Sequence, residues 1–232
     1  MSRWSSIFLP SHSFSMRWIR LWRHLFYPLN KSIVHLPSGS VSGWFFDLSL
    51  YVLDCLYLPE LYKAIYILFK PGIRKLTDEE RTVARSVFLG ELDCDGILMD
   101  QHSQRVSKRL GVAYVTFGLI HCWKPLRDDV LIHELVHVFQ YQLFGSSYIA
   151  HALRAQFSHP SYDYGGLQGL EMALLQKRTF LSFNFEQQAS IIEHFYHLRC
   201  RFGDIEMNEK WSAYVHYWNE LLSLKNAFSP NK

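Results

Sequence analysis

The pentapeptide His-Glu-Leu-Val-His at residues 133–137 constrains the fold of this 232-residue chain more than any other feature. Histidines four residues apart point in the same direction on an α-helix, where they lie one turn apart on one face. Apolar residues recur at helical spacing around the pentapeptide, and Gly145 follows the last of them. We therefore predict a helix that begins at a capping Asp128 or Asp129 and ends at Gly145.

The residue types of the pentapeptide predict a zinc ion. On one helix face, His133 and His137 can share a tetrahedral metal ion, and Glu134 beside it can move a proton. The alternative is a pair of core histidines that hydrogen-bond to protein groups. We favour zinc, with the histidines as ligands and Glu134 as general base, because the surrounding apolar residues would bury two imidazoles that need a polar or metallic partner.

A catalytic zinc site needs a third protein ligand and an open fourth position. The longer pattern with a glycine and a third histidine fails here, because Gln140 and Leu143 occupy those places. The third ligand must therefore come from further along the chain, where several residues are candidates by type. They are His151, His159, Asp163, Glu171, Glu186, Glu193, His194 and His197.

Glu186 is favoured among these candidates by its predicted place in a helix. Asn184 and Gln187 form a capping-box pattern that puts Glu186 in the first helical turn, where the side chain is well held. Ser190 follows one turn later, and we expect its hydroxyl to hydrogen-bond the far nitrogen of a zinc-bound histidine. The alternative role for Glu186 is that of a first-turn glutamate favoured by the helix dipole.

Several separate segments between Leu76 and about Tyr196 carry a resemblance to a known family. They are LTDEERTVARSVF, a strand ending in FGLIHCW, HELVHVFQYQ, the YDY of residues 162–164, and FNFEQQASIIEHF. In this order they resemble the HExxH metallopeptidase-like domain of bacterial Rhs- and Vgr-associated proteins, which include toxic extensions of type VI secretion spikes. Phe139 stands where that pattern more often has Trp, and residues 1–75 and the C-terminal helix have no counterpart.

The resemblance implies a zincin-like fold in which His133 and His137 bind zinc, Glu134 is the catalytic base and Glu186 is the third ligand. It also implies a secretion-spike protein or an immunity protein as a partner. The expected location is the bacterial cytoplasm, with export that uses no Sec signal peptide. In agreement, arginines interrupt the N-terminus before a continuous apolar segment or a cleavage site forms.

The remaining sequence predicts an α+β, mostly helical fold with a small β-sheet packed on the HExxH helix. Thr77 and Glu80 form a capping-box pattern that opens a helix towards Phe88. Residues 111–123 are rich in β-branched and aromatic side chains and predict a strand. The 24 Lys and Arg against 21 Asp and Glu give no reason to expect a nucleic-acid partner. The four scattered cysteines predict thiols, because no paired spacing is present.

Two domains are predicted, a basic and aromatic helical extension at residues 1–72 and the zincin-like domain at 73–232. In residues 16–27, Arg17, Arg20 and Arg23 share one helical face. This face predicts either a surface helix on its own domain or peripheral contact with an anionic membrane. The apolar stretch of residues 44–69 is interrupted by charged residues and a proline, and it predicts buried helices rather than a membrane span.

These observations together predict zinc-dependent hydrolysis of peptide bonds in a peptide or protein substrate. Tyr162 and Tyr164 are candidates to hydrogen-bond the oxyanion, with aromatic packing as the alternative for at least one, and Tyr148 is a weaker candidate. The strand near residues 116–120 is a candidate to pair with the substrate backbone. The alternatives are a catalytically weak zinc-binding interaction module on a secretion system or membrane, and hydrolysis of another amide such as peptidoglycan.

Overall fold

The structure is a computed structural model that describes residues 14–30, 39–70, 72–103, 106–157 and 161–228. The described strands are β1 (Ile73–Lys75), β2 (Leu98–Asp100), β3 (Tyr114–Thr116) and β4 (Leu119–His121). The described helices are α1 (Phe14–Phe26), α2 (Val41–Cys55), α3 (Leu58–Phe69), α4 (Asp78–Phe88), α5 (Ser107–Leu110), α6 (Asp128–Phe144), α7 (Ser147–Phe157), α8 (Gly166–Leu175), α9 (Phe185–Lys210) and α10 (Ser212–Phe228). The predicted α+β, mostly helical fold is confirmed.

The four described strands form one mixed sheet in the order β1-β2-β4-β3. β2 and β4 are parallel, with Met99 opposite Ile120, and the other two pairs are antiparallel. The prediction of a single strand across residues 111–123 is wrong, because the chain reverses between β3 and β4. Phe117 and Gly118 both have positive φ, at 50° and 75°, and make this turn. The glycine there therefore permits the turn that separates two strands.

Helix α6 carries the pentapeptide and crosses the hydrophobic core. Its N-cap is Arg127, which makes no side-chain capping hydrogen bond, so the prediction that an aspartate caps the helix is wrong. Asp128 and Asp129 lie in the first turn instead, where the helix dipole favours carboxylates. The helix ends at Gly145 as predicted, with φ of 68°. Strands β3 and β4 pack on α6, in agreement with the predicted sheet on the HExxH helix.

Helix α9 packs along α6 more extensively than any other described element does. The predicted capping box at its start is present, because the Asn184 side chain accepts from the Gln187 backbone and the Gln187 side chain accepts from that of Asn184. The helix bends at Gly203, whose φ of 75° breaks the regular backbone. The capping box predicted at Thr77 and Glu80, which opens α4, is also present.

Helix α1 packs on α2, and α2 packs on α3. Arg17 and Arg20 are buried, so the prediction that they face an anionic surface is wrong. Arg20 donates to the backbone carbonyls of Gln142 and Leu143 at 2.6 and 3.0 Å. These carbonyls lie in the last turn of α6, which has no further helical N–H groups to satisfy them. Arg17 pairs with Glu60 of α3 and donates to the carbonyl of Asp54.

Residues 44–69 form helices, as predicted, but the prediction that these helices are buried is wrong for one face of α2 and one face of α3. Phe45 is 60% exposed on α2 and Phe69 is 77% exposed on α3. Among the described helices, none is by itself long and apolar enough to cross a membrane. Taken together, α2 and α3 meet that criterion of length and composition, with a bend of 64° between them.

Candidate metal centre

His133 and His137 of α6 meet Glu186 of α9 at one point. The Nε2 atoms of both imidazoles lie 3.4 Å from the same carboxylate oxygen, Oε2 of Glu186. One ligand atom from each of the three residues lies within 4.8 Å of the others. Bonds of 2.0–2.1 Å to a tetrahedral zinc ion place neighbouring ligand atoms about 3.3 Å apart. The separations from Glu186 to the two histidines therefore fit a single zinc ion.

The sequence produces this arrangement through two local features. The pentapeptide places the two imidazoles one helical turn apart, with ring centroids 5.0 Å from each other. The capping box at Asn184 fixes the start of α9, and Glu186 is the second residue of that helix. Because α9 packs along α6, the first turn of α9 lies beside the histidines. The structure thus brings together the three predicted ligands.

Gln140 holds the ring of His137. Its Oε1 lies 2.9 Å from Nδ1 of His137, while its amide nitrogen donates to the Phe185 carbonyl and to Gln188 Oε1 at 3.2 and 3.0 Å. Because the amide nitrogen has two acceptors, the amide oxygen faces the imidazole and accepts a hydrogen bond from Nδ1–H. The Nε2 atom of His137 is then the basic nitrogen and is available to a metal.

Glu193 plays the same part for His133, since its Oε2 lies 2.9 Å from Nδ1 of that ring. The prediction that Ser190 supports a histidine is therefore wrong, because Gln140 and Glu193 occupy both Nδ1 positions. Glu186, Ser190 and Glu193 share one face of α9, and the longer glutamate side chain reaches the imidazole. The sequence predicts Glu193 as a candidate ligand, not as a support. No sequence pattern signals the role of Gln140, although that residue follows His137 by about one turn.

Glu134 is buried at the side of the cluster and 5% exposed. Burial raises the pKa of its carboxyl group, against the opposing effect of His133 and His137. Its Oε2 atom is buried and has no hydrogen-bond partner among the described residues. A buried carboxylate oxygen without a partner is costly unless a further polar group meets it. The surroundings of Glu134 therefore suit a group that exchanges a proton with a ligand in the cavity.

The histidines and glutamates of the cluster shift one another's pKa values. Burial opposes the charged form of His133, but its hydrogen bonds with Glu186 and Glu193 outweigh burial and raise the pKa of His133 to about 10. Burial likewise opposes the charged form of Glu186, but the two histidines lower the pKa of its carboxyl group to about 2. Glu186 is therefore an anion beside two imidazoles at neutral pH. Two histidines and a carboxylate form a donor set found in catalytic zinc sites.

The cluster opens into a cavity of about 610 Å³. Strand β3, one of the two edge strands of the described sheet, contributes Tyr114–Thr116 to its wall. Tyr162 also lines the cavity, with its ring centroid 6.2 Å from that of His133, and its pKa is raised to about 12 by burial and by Glu186 and Glu134. Tyr148 lines it as well, 5.9 Å from His137 between ring centroids. Burial raises the pKa of Tyr148 as well, so both phenols lie near the cluster in their neutral form.

Tyr164 does not line this cavity, so its predicted role at the oxyanion is wrong. Its hydroxyl group hydrogen-bonds to Nδ1 of His194 and, at 2.8 Å, to the hydroxyl of Tyr214 on α10. Its ring packs edge-on against that of Tyr214. The two tyrosines of the YDY segment therefore have different surroundings, and Tyr164 packs against Tyr214.

The other candidate ligands that the structure describes lie outside the cluster. His151 of α7 pairs with Asp47 at 3.4 Å, and Glu171 is exposed on α8. Asp163 accepts a hydrogen bond from the backbone of Gly165. His159 lies outside the described residues. Of the candidates in the described ranges, Glu186 is the one that joins both histidines.

Replacing Gln140 tests how the ring of His137 is positioned. We expect Gln140→Leu to weaken zinc binding about 10- to 100-fold, because it removes the acceptor that orients the imidazole. Gln142→Leu is the matched control. Gln142 is also a buried glutamine of α6, but it bonds to the backbone of Asp93. Competition with a chromogenic chelator measures both affinities, and an equal loss in the two variants would show that Gln140 stabilises the helix without positioning His137.

Comparisons with protein-family models, with curated proteins and with solved structures found no match to this chain. The resemblance to the Rhs- and Vgr-associated domain therefore stays a prediction from the sequence. The class of site rests on the described residues themselves. It consists of two histidines and one glutamate from two packed helices, beside a further buried glutamate and an open cavity.

Proposed function

We propose that the chain is a zinc-dependent endopeptidase, with His133, His137 and Glu186 as the zinc ligands. The observation that carries this proposal is the approach of both Nε2 atoms to one oxygen of Glu186, at 3.4 Å each, on the wall of a 610 Å³ cavity. The orphaned carboxylate oxygen of Glu134 gives independent support. A pair of satisfied core histidines requires neither an adjacent cavity nor a second buried glutamate.

Zinc bound by these residues would supply Lewis-acid chemistry that polarises a carbonyl group and activates water. Glu134 accepts the proton from the attacking water at its unpartnered oxygen and later gives it to the leaving amine. Burial raises the pKa of Glu134, and a raised pKa suits a group that both takes and returns a proton near neutral pH. Tyr162 donates a hydrogen bond to the oxygen that becomes negatively charged.

The outer position of β3 supports a peptide as the substrate. An extended peptide can add to an exposed sheet edge through main-chain hydrogen bonds, and it needs little side-chain selectivity to do so. Tyr114–Thr116 form a strand at one end of the sheet, and they line the same cavity that contains His133 and Glu134. A peptide bound there lies beside the proposed metal. The proposed link to a type VI secretion spike is separate and rests on the sequence resemblance.

Hydrolysis assays on two substrates test the proposed function. We expect the zinc-loaded protein to cleave unfolded casein and not peptidoglycan, and a chelator to abolish cleavage until zinc is restored. Cleavage of peptidoglycan alone would identify a different amide as the substrate. Zinc binding with no hydrolysis of either substrate would contradict an enzyme and favour a zinc-binding interaction module.

Zinc binding should also release a proton. With its pKa raised to about 10, His133 of the metal-free protein is protonated at pH 7, whereas zinc binds the neutral imidazole. We therefore expect about one proton to leave per zinc bound at pH 7, and affinity to rise as the pH rises towards 10. Calorimetric titration in two buffers with different ionisation enthalpies measures the release. Identical binding enthalpies in both buffers would contradict the protonated state of His133.

A further inference from the structure

Helices α1, α2 and α3 have their charged residues inside and large apolar residues outside, the reverse of the usual arrangement in a water-soluble domain. Within residues 14–30 and 39–70, every Arg, Lys, His, Asp and Glu side chain is buried or half-buried. The exposed positions in these ranges hold large apolar residues together with Ser, Asn, Gly and Pro. Examples of large exposed side chains are Trp18, Trp22, Phe45, Phe46, Leu61 and Phe69. We call the outward face of α1, α2 and α3 the apolar platform.

Helix α4 of the same chain has the ordinary arrangement. On α4 the exposed positions are Asp78, Glu79, Thr82, Arg85 and Ser86, while Ala84, Val87 and Phe88 are buried. Scattered single apolar residues are normal on a protein surface, but three consecutive helices whose exposed positions are mainly large apolar residues are not. The inversion therefore distinguishes the apolar platform from α4.

Buried polar contacts hold the platform in this orientation. Arg20 of α1 binds carbonyls in the last turn of α6, and Asp54 of α2 accepts from the backbone and hydroxyl groups of Ser146, just after that helix. Arg17 joins α1 to Glu60 of α3. If any of these charges were rotated outward, a buried partner would be left without its hydrogen bond, which is costly. The polar faces thus stay inward and the apolar faces stay outward.

We propose that the apolar platform docks the protein on a lipid bilayer, with its exposed side chains in the acyl region of one leaflet. Water makes an exposed apolar face unfavourable, whereas the boundary of the acyl chains makes it favourable. Tryptophans such as Trp18 and Trp22 suit the membrane interface. A protein partner usually requires a polar rim and about one hydrogen bond per 100–200 Å². No charged side chain lies at an exposed position of α1, α2 or α3. Lys70, just after α3, is 38% exposed at its side chain and pairs with Asp100. Lipid therefore fits the platform better than a protein does.

One side chain of the platform contacts the turn beside the metal cavity. Tyr62 of α3 packs against Phe117 in the turn between β3 and β4, with 5.4 Å between ring centroids. Phe117 directly follows Thr116, which lines the cavity. The platform therefore adjoins the turn that follows one wall of the cavity. The docking itself does not depend on zinc or on catalysis.

Flotation of the full-length chain with vesicles of pure phosphatidylcholine tests the proposal. We expect the protein to float with these uncharged vesicles and to stay bound in concentrated salt, because apolar burial drives the binding. The double variant Phe45→Glu, Leu61→Glu should lower the partition coefficient between water and vesicles by at least about tenfold, because two large apolar side chains become charged. Leu175→Glu, Ile205→Glu is the matched control, because both residues are 79% exposed outside the platform.

Thermal unfolding of both double variants checks that they fold. We expect both to fold, because all four substituted side chains are exposed. Three results would overturn the proposal. The first is no flotation with phosphatidylcholine. The second is binding that requires anionic lipid and is lost in salt, which would indicate attachment by charge. The third is a dimer in vesicle-free solution that dissociates with Phe45→Glu, Leu61→Glu and does not float, which would show that a second copy of the chain covers the platform.

Discussion

Glu134→Gln should leave zinc in place and reduce turnover about 100- to 10,000-fold, the usual contribution of a general base. Glutamine keeps the shape of the side chain but cannot accept a proton from the attacking water. Glu134 is not among the three residues whose ligand atoms cluster, so the metal should stay bound. The variant should also unfold at a temperature no lower than that of the wild type, because the change removes a carboxylate that burial disfavours.

Glu171→Gln is a suitable control for this change, since Glu171 is exposed on α8 and outside the cavity. It should alter neither turnover nor zinc content. Steady-state hydrolysis of casein, with zinc measured on the same samples, decides between the outcomes. Wild-type turnover in Glu134→Gln would remove Glu134 from the reaction, and loss of zinc would make it part of the metal shell.

Glu186→Gln should have the opposite signature. A neutral amide is a poor zinc ligand, so affinity should fall by more than the roughly 10- to 100-fold that is typical of outer-shell changes. Activity should decline together with zinc content and recover in part when zinc is added. Recovery with zinc distinguishes this variant from Glu134→Gln, whose activity should not respond to the added metal.

Glu193→Gln provides the comparison for Glu186, because Glu193 bonds to the opposite nitrogen of His133 at 2.9 Å. The amide of glutamine still offers an acceptor to Nδ1–H, so the loss of affinity should be smaller than in Glu186→Gln. If Glu186→Gln binds zinc as tightly as the wild type while Glu193→Gln does not, the third ligand is Glu193 and our assignment is wrong.

Local patterns in the sequence predicted the elements that place the ligands. The spacing of the pentapeptide predicted one helix face for both histidines, and the capping pattern at Asn184 predicted the start of α9. Both patterns depend on residues within one or two helical turns, where chain geometry is fixed by the helix itself. Neither pattern places Glu186 beside the histidines. The packing of α9 on α6 brings it there.

Features that depend on contacts between distant segments were not predictable in the same way. Gln140 of α6 donates a hydrogen bond to Gln188 of α9, and neither the spacing of the pentapeptide nor the capping pattern at Asn184 predicts this contact. Ser190 was expected to support a histidine because of its spacing alone, but the structure gives that place to the longer Glu193. Similarly, no pattern in the sequence predicted that Arg20 of α1 is buried. The carbonyl groups that accept its hydrogen bonds lie more than a hundred residues further along the chain.

The metal content of the purified chain tests the central claim most directly. Elemental analysis of the wild type should give close to one zinc per chain, and His133→Ala and His137→Ala should each lose it, because two of the three ligands cannot complete the shell. The control Gln142→Leu should keep the metal. A wild-type chain that binds no zinc after loading, or histidine variants that retain a full equivalent, would contradict the zinc site at His133, His137 and Glu186.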